Sequence, residues 1–128
     1  IGIYGFIPEE IIPQAELRLS MYKEISSIKE NKKLNEHKKE FVDRFGELTS
    51  EIYNLYELSK LKNISRKLNI LAIKFRENIF SLRLSDNSSL LPPSSKIEEI
   101  KINAENIKSD RLTFIISKLE NFLKTNET

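Results

Sequence analysis

The spacing of the apolar residues changes near Asn69, and this change limits the folds open to the chain. Before Asn69, apolar residues recur every three or four positions, as they do on one face of a helix. After Asn69 the apolar residues fall on alternate positions, namely Leu71, Ile73, Phe75, Phe80, Leu82 and Leu84. Alternation is the period of a strand with one buried face. The sequence therefore predicts an α+β fold in which helices come first and a sheet follows.

Three helices are predicted before Asn69. The first spans residues 13–28, with Pro13 in its first turn and an apolar stripe through Leu17, Met21, Ile25 and Ile28. The second spans residues 34–45 and ends at Gly46, which favours the left-handed conformation that closes a helix.

The third helix follows the N-cap Thr49 and ends near Leu68. Its apolar residues surround more than half of its circumference, which predicts the most buried helix of the fold. Asn69 then suits a left-handed C-cap, because asparagine tolerates that conformation better than most residues.

The second half of the chain is predicted to contain a small sheet. Residues 71–84 form a β-hairpin that turns at residues 76–78, and residues 85–93 form a flexible loop. The capping-box spacing of Ser95 and Glu98 predicts a short helix that ends near residue 102. A weak strand at 106–108 is expected to pair with one at 112–116, and a capping box at Ser117 and Glu120 predicts a last short helix.

The predicted architecture is therefore three N-terminal helices followed by a small, mostly antiparallel β-sheet with two further short helices. The chain has 128 residues, which is the size of one ordinary domain, and we expect residues 1–128 to form a single domain. Within it, residues 1–12 are an N-terminal extension, 13–69 a helical part and 70–124 a sheet-containing part. Because Ile1 is no initiator methionine, we expect a segment of a larger protein.

Composition and motifs argue against enzyme chemistry in this segment. The chain contains no cysteine, a single histidine (His37) and only three glycines, so thiolate metal sites and glycine-rich phosphate loops are excluded. No apolar run is long enough to span a bilayer, and we expect a cytoplasmic protein. We predict no catalytic, cofactor-binding or metal-ligating residue, and interpret His37 as a surface residue.

Three acidic residues of the second helix, Glu36, Glu40 and Asp43, cluster on the side opposite Phe41 and Phe45. One interpretation is a solvated face on which the carboxylates pair with lysines and an arginine of the same helix. The other is a docking surface for a basic partner, because Glu36 and Glu40 repel each other and Asp43 lies near the negative end of the helix dipole.

Two further questions stay open at this point. The basic residues of the helices are interrupted by glutamates and lack an interleaved aromatic platform, which favours a solvated surface over nucleic-acid binding. The apolar residues at the start of the chain, from Ile1 to Ile7, could form a strand of the sheet or pack against a preceding domain.

Three motifs stand out in the first part of the chain, namely Phe6–Pro13 (FIPEEIIP), Leu17–Lys23 (LRLSMYK) and Val42–Gly46 (VDRFG). They resemble motifs of the TRCF domain, the C-terminal domain of bacterial transcription-repair coupling factors. The resemblance covers residues 6–73, and beyond them it depends on the order and type of elements. Asn69 departs from the family pattern, which usually has glycine there.

The resemblance implies a large bacterial parent that recognises stalled RNA polymerase, displaces it with an ATP-driven motor on DNA, and recruits excision repair through a UvrB-like domain. In such a parent the TRCF domain is regulatory and packs on the UvrB-like domain, so that it masks UvrA binding and restrains the motor. It has no cofactor of its own, since ATP and Mg²⁺ belong to the motor domains of the parent.

The resemblance also gives the acidic residues a role. Glu40 and Asp43 align with acidic positions of the family, so we expect them to pair with basic residues of the UvrB-like domain, with Glu36 at the rim. UvrA, RNA polymerase and DNA would be reached only through the parent, and the isolated segment is expected to be a monomer without a membrane partner. The alternative is an accessory domain that contacts DNA or RNA polymerase.

Overall fold

The computed structural model of the chain describes residues 4–85, 99–104 and 110–126, with side chains described up to residue 123. Within these ranges the chain is of the predicted α+β class, with four helices and a three-stranded antiparallel sheet. In chain order the elements are α1 (Ala15–Ser27), α2 (Asn31–Phe45), α3 (Ser50–Lys67), β1 (Ile70–Arg76), β2 (Ile79–Leu84), β3 (Glu99–Asn103) and α4 (Arg111–Asn126).

The described residues divide into two compact units. One contains residues 4–63 and the other begins at residue 64, so the division falls within α3. The expectation of one single domain over residues 1–128 stays a prediction. Across the described residues, no helix has the length and apolarity that crossing a bilayer requires.

The first unit has a core made of aliphatic and aromatic side chains. Its buried members are Ile7, Ile12, Met21, Ile25, Leu34, Phe41, Ile52 and Tyr56. The predicted stripe on α1 is confirmed, because Met21 and Ile25 are buried and Leu17 and Ile28 pack against them. Burying this apolar surface is the main source of stability for such a unit.

The residues before α1 pack on α3. The amide of Phe6 donates to the carbonyl of Glu51 over 3.1 Å, and Ile7 and Ile12 enter the core. Gly5 approaches the backbone of Leu55 so closely that a Cβ at position 5 would overlap it. The described part of the N-terminal segment is therefore not a strand of the sheet, although the side chains of Tyr4 and Phe6 stay exposed.

Two residues of the LRLSMYK motif hold the preceding FIPEEIIP motif in place. Nη1 of Arg18 donates to the carbonyls of Ile12 and Pro13, over 2.8 and 3.0 Å. The hydroxyl of Tyr22 accepts the amide hydrogen of Ile7 over 2.7 Å. These side chains satisfy backbone groups that lie outside regular secondary structure, and they connect the two motifs.

The second unit contains the predicted β-hairpin. Strand β1 pairs antiparallel with β2, and Glu77 and Asn78 connect them with φ angles of 52° and 63°, as in a type I′ turn. Asn69 adopts the predicted left-handed conformation, with φ of 56°. The register shifts between Ile70 and Ala72, so Leu71 is 60% exposed, although simple alternation predicted it to be buried.

The predicted helix that ends near residue 102 is wrong over its described part. Glu99–Asn103 is strand β3, which pairs antiparallel with β2, while residues 95–98 lie outside the described ranges. Ile102 is buried and its neighbours Lys101 and Asn103 are exposed, which is the alternation of a strand. The predicted loop at 86–93 and the predicted strand at 106–108 also lie outside the described residues.

The predicted strand at 112–116 is wrong as well, because these residues belong to α4. Asp110 caps this helix, since its Oδ1 accepts the amide hydrogen of Thr113 over 2.8 Å. The buried residues of α4 recur at helical spacing and are Leu112, Ile115, Ile116 and Leu119. Ser117 and Glu120 lie inside this helix, so a single 16-residue helix replaces the predicted last short one.

Candidate partner-binding face of the second helix

Helix α2 is oriented by its aromatic residues. Phe41 is 2% exposed, and its ring contacts those of Phe45 and Tyr56, with centroids 4.8 and 6.1 Å apart. This packing turns the opposite side of α2 to solvent.

The helix ends at Gly46, whose amide donates to the carbonyl of Val42 over 2.8 Å. Its φ of 94° is positive as predicted, but its ψ of −172° is extended, so the predicted left-handed C-cap is wrong.

The three carboxylates singled out from the sequence, those of Glu36, Glu40 and Asp43, are exposed. None of them has a lysine, arginine or histidine nitrogen within 4.0 Å among the residues that the structure describes. The ion pairs expected within a solvated α2 face are therefore not formed there.

Two of the nearby cations contact aromatic rings. The guanidinium of Arg44 lies 4.9 Å from the ring centroid of Phe45, and the ammonium of Lys38 lies 5.9 Å from that of Tyr53. Such cation–π contacts are worth about 0.5–1 kcal/mol at exposed sites. Arg44 and Lys38 thus have favourable positions that do not neutralise the carboxylates of α2.

Glu40 borders a groove between α1 and α2 with a volume of about 420 Å³. The other residues that line it are Met21, Glu24, Ser27, Ile28, His37, Phe41 and Arg44. Its lining combines apolar side chains with two carboxylates and one guanidinium. The groove can therefore accept an aliphatic stem that carries a polar or cationic end group.

Asp43 borders a different depression of about 320 Å³, together with Lys38, Lys39, Val42 and Leu48. Glu36 lines neither this depression nor the groove at Glu40. The three acidic residues share one helix face, as predicted, but the structure does not gather them into one binding site.

His37 connects three helices, and its interpretation as a surface residue was wrong. Its Nε2 lies 2.9 Å from Oε2 of Glu24 on α1, and its Nδ1 lies 2.8 Å from the hydroxyl of Tyr56 on α3. Because a carboxylate only accepts, Nε2 of a neutral His37 donates to Glu24 and Nδ1 accepts from Tyr56. Only 15% of the His37 side chain is exposed.

The same contacts act on Tyr56. Burial in the core, followed by the negative charge of Glu24, raises the pKa of the Tyr56 hydroxyl well above its usual range. Tyr56 therefore stays protonated, as its donor role toward a neutral His37 requires. The sequence held no local signal for this set, because its members lie 13 and 19 residues from His37. Within the described residues, no group of three or more histidines and carboxylates could hold a metal ion.

Comparison with known proteins relates these features to a family. The sequence model of the TRCF domain matches residues 1–95, a range that contains α1, α2, α3 and the hairpin. The chain belongs to the TRCF domain family. Its fold agrees with that of a solved C-terminal domain of transcription-repair coupling factor, with a TM-score of 0.78 over 100% of this chain and 93% of the other, at 17% identity.

Longer proteins that the chain resembles are also named transcription-repair-coupling factor. The chain is 29% identical over 119 residues to the transcription-repair-coupling factor of Rickettsia bellii and 30% identical to that of Rickettsia conorii, in both cases over 93% of the chain. It is 31% identical over 88 residues, 69% of the chain, to the protein of the same name from Escherichia coli. This TRCF domain spans 11% of the Rickettsia proteins and 8% of the Escherichia coli protein.

Proposed function

We propose that this TRCF domain is an autoinhibitory interaction domain of a transcription-repair coupling factor. It packs against the UvrB-like domain of the same parent, masks UvrA binding there, and restrains the ATP-dependent translocase that displaces stalled RNA polymerase. The domain itself performs no catalysis and works by occupying a surface.

The observation that carries this proposal is the row of unneutralised carboxylates on α2. Like charges one helical turn apart destabilise a helix by a few tenths of a kcal/mol, and Glu36 and Glu40 have that spacing. Since the described part of this chain supplies no ion-pair partner within 4.0 Å, a basic surface elsewhere in the parent is the complementary partner.

The exposure of the carboxylates suits a contact that must be released. Ion pairs at an exposed rim contribute about 0–1 kcal/mol each, and pairs that become desolvated contribute more. A few such contacts hold two tethered domains together, because the tether raises their effective concentration. The same contacts weaken when another protein competes for the basic surface.

The first experiment compares basal ATPase and DNA translocation of the parent with those of a truncation that ends just before Ile1. We expect both activities, and UvrA binding, to rise on truncation. A loss of activity would instead indicate a domain that helps the motor to engage DNA or RNA polymerase, and no change would argue against a restraint.

The second experiment tests the acidic residues themselves in the full-length parent. Replacing Glu40 and Asp43 by lysine should raise UvrA binding and ATPase as truncation does. The matched control replaces Glu10 and Glu47 by lysine, because these are exposed carboxylates outside the α2 face and the charge change is equal. If the control pair had the same effect, or the Glu40 and Asp43 pair had none, the role assigned to the α2 face would be wrong.

A further inference from the structure

One face of the three-stranded sheet is solvent-exposed and basic. Phe80, Leu82 and Leu84 point from β2 into the core, so the residues between them point the other way. The strand register extends this outer face across the sheet. Its three rows are Ala72, Arg83 and Glu99; Lys74, Ser81 and Lys101; and Arg76, Ile79 and Asn103.

Four of these nine residues are cations, namely Lys74, Arg76, Arg83 and Lys101, and only Glu99 is an anion. All four cations are exposed, and none has a carboxylate within 4.0 Å among the described residues. We call these nine residues the basic sheet face. It carries a net charge of +3, whereas the whole 128-residue chain carries +2.

Two small residues, Ser81 at the centre of the basic sheet face and Ala72 at one corner, leave space between the longer side chains. A depression of about 210 Å³ lies there, and Lys74, Arg83 and Glu99 also line it. A phosphate group that enters this depression meets two cationic side chains and one hydroxyl donor, against the single carboxylate of Glu99. Hydrogen bonds from such groups to phosphate oxygens are about twice as strong as neutral ones.

We propose that the basic sheet face binds the phosphate backbone of duplex DNA without reading its bases. Residues two positions apart on one strand are about 6.6 Å apart, and neighbouring strands are about 4.8 Å apart, so the cations form a flat array instead of a point site. A flat array of unpaired cations matches a partner with regularly repeated negative charge, which duplex DNA supplies at one charge per about 1.7 Å of helix axis.

The aromatic residues of the sheet favour a duplex over a single strand. Proteins that bind single-stranded nucleic acid stack its bases on exposed aromatic side chains. Phe75 and Phe80 instead contact each other on the inner face, with ring centroids 4.5 Å apart, and Phe80 is fully buried. No aromatic side chain belongs to the basic sheet face, whose nine residues are all described.

The test measures binding of the whole 128-residue chain to a fluorescein-labelled 30-base-pair duplex by fluorescence anisotropy, from low to moderate salt. We expect log K to fall with log salt at a slope of about −3 to −4, as for the neutralisation of about four phosphates. Replacing Lys74, Arg76, Arg83 and Lys101 by alanine should bring the slope close to zero and weaken binding by about tenfold or more at low salt.

The matched control replaces four exposed lysines outside the sheet, Lys23, Lys29, Lys32 and Lys33, by alanine, which removes the same charge. We expect it to keep the wild-type slope. If circular dichroism shows that the quadruple sheet variant does not fold, the single variant Lys101→Glu takes its place. It should make the slope less negative by about one or more.

Any of four outcomes would overturn the proposal. Three are an unchanged slope in the sheet variants, an equal loss in the control, and equally effective competition by polyglutamate at the same charge concentration, which would indicate an acidic protein as the partner. The fourth is tighter binding of a single strand of the same length, which would contradict the preference for a duplex. This surface and the α2 face share no residue, so either proposal can fail without the other.

Discussion

The Nδ1 atom of His37 lies 2.8 Å from the hydroxyl of Tyr56, and this contact joins the exposed helix α2 to a side chain of the core. Tyr56 is 2% exposed, so its hydroxyl has little access to water and depends on His37 for its hydrogen bond. His37 in turn contacts Glu24 of α1. A single imidazole therefore connects α1, α2 and α3 within the first unit, beside the apolar core that they share.

Replacing His37 by alanine should destabilise the domain by about 1–3 kcal/mol, because it leaves the buried Tyr56 hydroxyl without an acceptor. Adding Tyr56→Phe should recover part of the loss, since the orphaned hydroxyl is then removed. Urea unfolding of the two single variants and the double variant measures this coupling. Lys33→Ala on the same helix is the control and should change stability by less than about 0.5 kcal/mol. Strict additivity of the two substitutions would contradict the contact.

Phe41→Ala should destabilise the domain by about 3–5 kcal/mol, because its ring is almost fully buried between Phe45 and Tyr56. Phe45→Ala should cost clearly less, since Phe45 is only half-buried at the edge of this core. Thermal unfolding of both variants provides the comparison, and an equal or larger loss at Phe45 would contradict the structure.

Arg18→Lys should destabilise the N-terminal segment although it keeps the charge. One guanidinium nitrogen of Arg18 donates to two carbonyls, those of Ile12 and Pro13, and the ammonium of a shorter lysine side chain does not reproduce that geometry. We expect a loss of about 1 kcal/mol and faster amide exchange at Ile7 and Ile12. The control is Lys23→Arg, at an exposed position of the same helix. Unchanged exchange in Arg18→Lys would show that the carbonyl contacts are unimportant.

Asp110→Ala should destabilise α4 by about 1 kcal/mol through loss of its N-cap. The cap is also pH-dependent. The hydrogen bond from the Thr113 amide lowers the pKa of the Asp110 carboxyl below its usual value. A lowered folded-state pKa means that the contribution is complete above the unfolded-state pKa of about 3.9 and is lost as the pH falls through the folded value.

Asp110→Asn separates these two effects. Asparagine retains an acceptor oxygen for the Thr113 amide but has no proton to gain, so this variant should lose less stability than wild type between pH 6 and pH 2. Guanidinium unfolding across that range provides the measurement. Parallel pH profiles for wild type and Asp110→Asn would rule out the carboxylate cap as a source of acid sensitivity.

Local signals predicted the first half of the fold and failed in much of the second. Thr49 caps α3, since its Oγ1 lies 3.3 Å from the amide of Ile52, and Asn69 has the expected positive φ. Both features depend on residues close in sequence. Strand β3 depends on pairing with β2, about 20 residues earlier, and a local signal cannot indicate such a pairing. Asp110 was itself a local N-cap signal, but it was not recognised because a strand was predicted at 112–116.

The candidate sites were predictable to different degrees. Helical periodicity placed Glu36, Glu40 and Asp43 on one exposed face, and that placement is confirmed. Whether those carboxylates form ion pairs depends on side-chain packing. Ion pairs within α2, which is described in full, are not formed, and Arg44 and Lys38 contact aromatic rings instead. The basic sheet face could not be recognised, because its cations become neighbours only through the strand register.

The close approach of Gly5 to α3 also determines how the N-terminal segment can dock. A Cβ at this position would lie within 3 Å of the backbone of Asn54 and Leu55. Sliding the segment along α3 by one residue would bring either Tyr4 or Phe6 to that point, and both carry a Cβ and a bulky ring. The segment can therefore dock on α3 in one register only, the one that places Gly5, which has no Cβ, at this contact.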